Sequence, residues 1–289
     1  MHLQSWYVMN NKKLMLVLAF FLASLLLSIF TFNIIISKSD SKLTKRDFLS
    51  EKLTKFNYVA IGDSLTQGVG DTSNQGGFVP ILAQNLTDTY NYDVSFSNYG
   101  VSGNTSKQIL TRMQEKKDIQ KSLSKADFMT LTVGGNDVMT VIRKNFTNLS
   151  VSTFTKPAKN YQDCLRQIID LARAENKDLV IYVLGIYNPF YLNFPQMTKM
   201  QEIIDNWNDV TEKVTAEYDN VYFVPINDAL YKGVNGEEGI VATSGDQTTV
   251  VNDALFGEDH FHPNNIGYQI MSDKIKERIN ETKNKWHKN

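Results

Sequence analysis

From position 56 onward, apolar residues recur in two alternating rhythms. Short runs rich in β-branched and aromatic residues predict buried strands over 58–61, 94–98, 128–133, 179–184 and 221–224. Longer stretches with apolar positions three and four apart predict helices over 78–90, 105–122, 161–176 and 197–218. In the third of these, Cys164, Leu165, Ile168, Ile169, Leu171 and Ala172 fall at helical spacing, and Arg166, Gln167, Asp170 and Arg173 form the wet face. Each helix is long enough to cross over between parallel strands. The expected fold class is therefore α/β, a three-layer α/β/α sandwich around a parallel sheet of about five strands. The pattern holds as one domain over 56–282, with 283–289 as a tail.

The amino-terminal region follows a different pattern. After Lys12 and Lys13, residues 14–36 are apolar and uncharged, and at about 1.5 Å per residue such a helix crosses about 30 Å of hydrocarbon. No small-residue cleavage site follows Ile36, so an uncleaved single-pass anchor is expected rather than a signal peptide. Residues 1–13 then read as a cytoplasmic end, 37–55 as a polar linker, and the domain as extracytoplasmic at the cell membrane. Lys38, Lys42, Lys45 and Arg46 oppose that orientation under the positive-inside rule, although large domains translocate despite such charges.

Two segments break the strand–helix rhythm. Residues 185–196, GIYNPFYLNFPQ, hold two prolines and a cluster of aromatics just after the fourth strand. They read either as a packed surface loop or as a substrate wall, with Tyr187, Asn188, Phe190 and Tyr191 as candidate contacts and Phe194 beside them. Residues 232–258 are a long irregular stretch rich in glycine and acidic residues.

Charge and rare residues narrow the chemistry. A net charge of -1 gives no electrostatic reason to expect nucleic acid. A single cysteine, Cys164, excludes an intrachain disulfide and a thiolate metal cluster. His2 and His287 lie at the ends, so imidazole chemistry in the body falls to His260 or His262.

Four short blocks then stand out, three of them at strand ends. Gly62-Asp63-Ser64 ends the first strand and would deliver the Ser64 hydroxyl to the sheet's carboxyl edge. Alone, it reads equally as a turn in which Asp63 or Ser64 caps the next segment. After the second strand comes NYGVSGNT (98–105), and after the third GGND (134–137). The Ser64 amide, the Gly103 amide and the Asn136 side chain are three donors that could converge on a developing oxyanion. DHFHP (259–263) completes the set: Asp259 can fold back to hold one ring nitrogen of His262 while the other faces Ser64. Pro263 is suited to open a helix with Ile266, Ile270, Ile275 and Ile279 on its apolar stripe, which would set His262 at that helix's amino end. Two imidazoles with scattered carboxylates lack metal-ligand spacing, so no metal and no cofactor is expected.

GDS, NYGVSGNT, GGND and DHFHP, in this order, resemble the four sequence blocks of the GDSL or SGNH hydrolase family. The likeness runs from Tyr58 to the C-terminal helix, and with the apolar leader it is similar to a membrane-anchored, lipase- or acylhydrolase-like branch from Gram-positive bacteria. It implies a flavodoxin-like strand order 2-1-3-4-5, with Ser64 as nucleophile, Asp259 and His262 completing the triad, and Gly103, Asn136 and the Ser64 amide as oxyanion donors. The expected activity is a serine esterase or acylhydrolase cleaving lipid or short-chain acyl esters through an acyl-Ser64 intermediate. The alternatives are an O-acetyl esterase acting on cell-envelope polysaccharide and a membrane-tethered binding protein without turnover.

Overall fold

The computed structural model describes residues 11–35, 53–90, 92–145, 149–191, 198–231, 241–244, 247–250 and 252–285. The chain divides into two units, Met1–Lys52 and Leu53–Asn289. In the first, helix α1 (Asn11–Ile35) carries the window Leu14–Thr31, of mean hydropathy 2.6 and unburied by the rest of the chain. It is long and apolar enough to cross a membrane, as an anchor or a signal peptide does.

In the second unit, strand β1 (Thr54–Gly62), helices α2 (Ser64–Gln67) and α3 (Phe78–Tyr90), and strand β2 (Tyr92–Gly100) come first. Helices α4 (Ser106–Glu115) and α5 (Lys117–Leu123), strand β3 (Phe128–Thr132) and helix α6 (Gly135–Lys144) follow. Then come helix α7 (Thr155–Ala172), strand β4 (Val180–Leu184), helix α8 (Thr198–Thr215), strand β5 (Val221–Val224) and helix α9 (Asn227–Tyr231). An antiparallel pair, β6 (Val241–Ser244) and β7 (Gln247–Val250), precedes helix α10 (Asn265–Thr282).

The first five strands form one parallel sheet of order β2-β1-β3-β4-β5. The expected α/β sandwich and its strand order are both present. Alternation sorts the strand side chains into two cores. Val59, Ile61, Met129, Leu131, Ile181 and Val183 pack beneath α4 to α8. Tyr58, Ala60, Phe128, Tyr182 and Leu184 face α3 and α10. Buried hydroxyls on the strands are paired, as with Tyr58 and Thr130 at 2.7 Å.

Several boundaries differ from the expectation for local physical reasons. The helix expected over 105–122 breaks at Lys116, whose backbone is extended, and Gln120 Nε2 donates to the carbonyls of Met113 and Gln114 left free by the break. The break lets Ile119 and Leu123 turn into the core. The stretch 232–258 contains the antiparallel pair β6–β7, both strands of which carry β-branched residues. Pro263 does not open the last helix. It sits in an isolated bridge with Leu255, and Asn264 caps α10, accepting from the amides of Ile266 and Gly267 at 2.9 and 3.1 Å. Ile266 is exposed, and the buried stripe of α10 is Tyr268, Met271, Ile275 and Ile279.

Candidate active site

In this strand order the chain leaves β1 toward one edge and returns through β3 toward the other, which opens a crevice between their carboxyl ends. Ser64 follows β1 and Asn136 follows β3, so they flank that crevice. Ser64 is buried as the first residue of α2. The capping reading of the turn also holds, but for Asp63: its Oδ1 accepts from the Leu65 amide at 3.1 Å and from Thr132 Oγ1 at 2.8 Å. Burial pushes the Asp63 carboxyl above its ordinary range, and the Thr132 and Leu65 bonds pull the other way. Asp63 therefore fixes the turn that presents Ser64, and Thr132 anchors it from the end of β3.

Two glycines shape the donor loops. Gly103 has φ +79° and open space around it, which exposes the backbone amide at the turn after β2. Gly134, at φ +109°, precedes α6, and an added Cβ there would lie 2.7 Å from Trp207 Nε1. Asn136 is the second residue of α6, and its Nδ2 donates to the Asn104 carbonyl at 3.0 Å. An amide nitrogen carries two N–H groups, so one is left for a substrate oxygen. Asp137 accepts from the Ser106 amide at 2.8 Å and from Ser106 Oγ at 2.6 Å, tying α6 to α4. Burial holds its carboxyl above the usual range against those bonds.

The histidine arrives on a pinned segment. Asp259 Oδ2 lies 2.6 Å from His262 Nδ1, while Oδ1 accepts from the amides of Phe261 and His262 at 2.9 and 3.0 Å. Burial alone would raise the Asp259 carboxyl, yet the bonds from His262 and Phe261 outweigh it and hold the pKa below its ordinary value. The His262 carbonyl accepts from the Phe256 amide at 2.7 Å, and Tyr187 Oη donates to the Phe261 carbonyl at 2.5 Å. The turn after α2 packs against this segment: a Cβ built on Gly70 would lie 3.3 Å from His262 Cβ, and Tyr268 Oη donates to Val69 O at 2.6 Å. Among the described residues no hydrogen bond joins Ser64 Oγ to the His262 ring. His260 is exposed, with φ +51°. Cys164 lies on α7, and burial pushes its thiol pKa up, opposite to what a nucleophilic thiolate needs.

A narrow cleft of about 50 Å³, partly open to solvent, runs from Ser64 and Asn136. Its walls include Val138, Met139, Ile142, Ile186, Met200 and Ile204. Of the four candidate contacts after β4, Tyr187 and Phe190 line it. Asn188 is turned into the protein, with its Nδ2 on Gln201 and its amide on Asn227, and Tyr191 packs edge-on against Tyr231. Phe194 lies outside the described residues. The α6 wall was not among the expected contacts, although Val138, Val141 and Ile142 carry helical spacing directly after Asn136.

A serine at the switch crevice of a parallel sheet, with a hydrogen-bonded aspartate–histidine pair on the segment that packs against the turn after it, is the arrangement a serine ester hydrolase calls for. The chain is a member of the GDSL-like lipase/acylhydrolase family, whose model matches residues 60–270. It is 29% identical over 220 residues to the uncharacterized protein YpmR of Bacillus subtilis, covering 76% of this chain and 80% of that one. It is 25% identical over 225 residues to the spore germination lipase LipC of Bacillus licheniformis, covering 76% and 94%. Among solved structures, the lipase Lip_vut3 from a goat rumen metagenome superposes with a TM-score of 0.63 at 23% identity, covering 77% of this chain and 96% of that one.

Proposed function

We propose that this protein hydrolyses esters of aliphatic carboxylic acids, with Ser64 as nucleophile and the acyl chain lying in the cleft beside it. Ser64 Oγ attacks the ester carbonyl while His262 Nε2 takes its proton, and Asp259 steadies the imidazolium through Nδ1. The oxyanion receives hydrogen bonds from the Ser64 amide, the Gly103 amide and Asn136 Nδ2. Collapse expels the alcohol, protonated by His262. A water then attacks the acyl-enzyme by the same route, releasing the acid and restoring Ser64.

The observation that carries the substrate class is the wall of the cleft, apolar from Val138 to Ile204, with Phe190 and Phe261 at its side. A sugar O-acetyl ester would call for a shallow, polar trough. The test is hydrolysis of nitrophenyl esters from acetyl to dodecanoyl, beside acetylated xylan, by the full chain in detergent micelles and by Ser64→Ala. The expected result is a rate maximum beyond butanoyl, no acetate release from xylan and an inert Ser64→Ala. Preference for xylan would make the protein a glycan O-acetyl esterase. A wild-type chain unreactive toward a serine-directed phosphonate would make it a binding protein.

The apolar α1, with Lys12 and Lys13 in its first turn, supports a reading as an uncleaved anchor that holds the enzyme at the outer membrane–water boundary, near lipid esters. Protease shaving of intact cells should degrade the 53–289 unit and spare α1.

A further inference from the structure

Behind the turn that carries Gly103 lies a half-buried cation with no part in the mechanism above. Arg112, on α4, donates from Nε to Asn104 Oδ1 at 2.7 Å, from Nη1 to the Tyr99 carbonyl at 3.1 Å and from Nη2 to the Gly62 carbonyl at 3.0 Å. Gly62 stands two residues before Ser64, and Asn104 directly follows Gly103. The Asn104 carbonyl in turn receives Asn136 Nδ2. One guanidinium thus touches the strand end that delivers the nucleophile and the residue through which both remaining donors are connected.

Its three partners are all neutral oxygens. Among the described residues no carboxylate lies within ion-pair distance of it, and burial pushes its pKa down. A cation withdrawn from water onto neutral oxygens is costly unless its hydrogen bonds hold something that matters. The turn it grips is also tied by the Val101 amide to Gly62 O at 3.1 Å, the Ser102 amide to Gln67 Oε1 at 2.6 Å, the Gly100 amide to Asn98 Oδ1 at 2.9 Å and the Asn104 amide to Val101 O at 3.3 Å, but among the described residues Arg112 alone bonds both its ends and the end of β1. Three acceptors spread over two segments, the end of β1 and the 99–104 turn, suit a planar fork, and the point charge of a lysine cannot satisfy them together.

We propose that Arg112 is the positioning residue of the oxyanion hole: it locks the 99–104 turn to the end of β1, so that the Gly103 amide and, through Asn104, the Asn136 amide are aimed before substrate arrives. This rests on the assignment of those donors above. The preorganised aim acts on the transition state and not on the bound ester, so its loss lowers kcat and leaves KM nearly unchanged.

The test measures kcat and KM on an octanoyl ester for Arg112→Lys and Arg112→Gln, each alone and combined with Asn136→Ala, with thermal melting of every variant. Arg112→Lys keeps the charge and should melt near the wild type. Its kcat should fall roughly 30- to 100-fold with KM within about threefold. In the Asn136→Ala background the further loss should shrink below about fivefold, because both changes damage one device. A kcat for Arg112→Lys within about threefold of wild type, or losses that multiply in the double variant, overturns the proposal. A rise in KM at unchanged kcat also overturns it. If Asn136→Ala alone leaves kcat unchanged, the donor assignment itself fails, and that outcome is distinct from a failure of Arg112 alone.

Discussion

Replacing Asp259 by Asn probes the acid–base pair with little change of shape. The amide oxygen can still accept from the backbone of Phe261 and His262, but the negative charge beside Nδ1 is gone. In the proposed mechanism His262 becomes a cation as it takes the Ser64 proton, and unit charges about 4 Å apart at an effective dielectric of about 20 attract by about 4 kcal/mol. The Asp259 side chain is 36% exposed and that of His262 17%, so solvent screening trims the gain to roughly 2 to 3 kcal/mol. That corresponds to a loss of roughly 30- to 150-fold in kcat. The assay is steady-state hydrolysis of an octanoyl nitrophenyl ester, with melting curves to show that the variant is folded. KM should stay close to wild type, because the ester is neutral in the ground state. A folded Asn variant within about threefold of wild-type kcat would refute the idea that Asp259 stabilises a charged His262.

Three further outcomes follow from the same geometry. His262→Ala should lower kcat by at least about a thousandfold, whereas His260→Ala, at an exposed site, should stay within about twofold; the reverse pattern would move the base to His260. Met139→Trp should narrow the cleft, cutting kcat/KM for octanoyl esters by about tenfold or more while sparing acetyl esters, and an equal loss for both would place the acyl chain elsewhere. Asp71 concerns stability: burial opposes its charge, but five hydrogen bonds from Ser73, Gln75, Gly76 and Gly77 hold its pKa at about 2. A carboxyl depressed on folding adds stability above its unfolded pKa of about 4 and loses it as pH falls toward about 2, so Asp71→Asn should cost on the order of 2 kcal/mol at neutral pH and much less near pH 2. A melting-temperature gap of equal size at both pH values would contradict this.

The sheet was legible because β1, β3, β4 and β5 carry buried, nearly unbroken apolar runs between helical stretches, while β2, mostly half-buried or exposed at the edge, shows itself by its β-branched and aromatic residues. Val221–Val224 and Phe78–Tyr90 match the expected bounds at both ends, and Pro80 is tolerated because it lies in the first turn of its helix. The chemistry-bearing blocks were legible because glycines and polar residues interrupt those runs at strand ends. What escaped depends on contacts between segments. Nothing local says that Asn188 turns inward to meet Gln201, or that Lys116 breaks a helix so that Ile119 can reach the core. The start of α10 was misread because Pro263 looks like a first-turn residue, and only its pairing with Leu255 moves the cap to Asn264. Thr132 and Arg112 were silent for the same reason: their partners lie on β1 and on the turn after β2.

Asp259 and His262 share one turn, three positions apart, close to the carboxyl end of the chain. Synthesis proceeds from the other end, so a nascent polypeptide carries its hydroxyl and its anion-stabilising groups well before it owns a proton acceptor. On the proposed assignment, a chain emerging at a bilayer stays chemically silent toward the surrounding lipids until the segment with residues 259–262 has been made and has docked. Any truncation upstream of residue 259 leaves it permanently so.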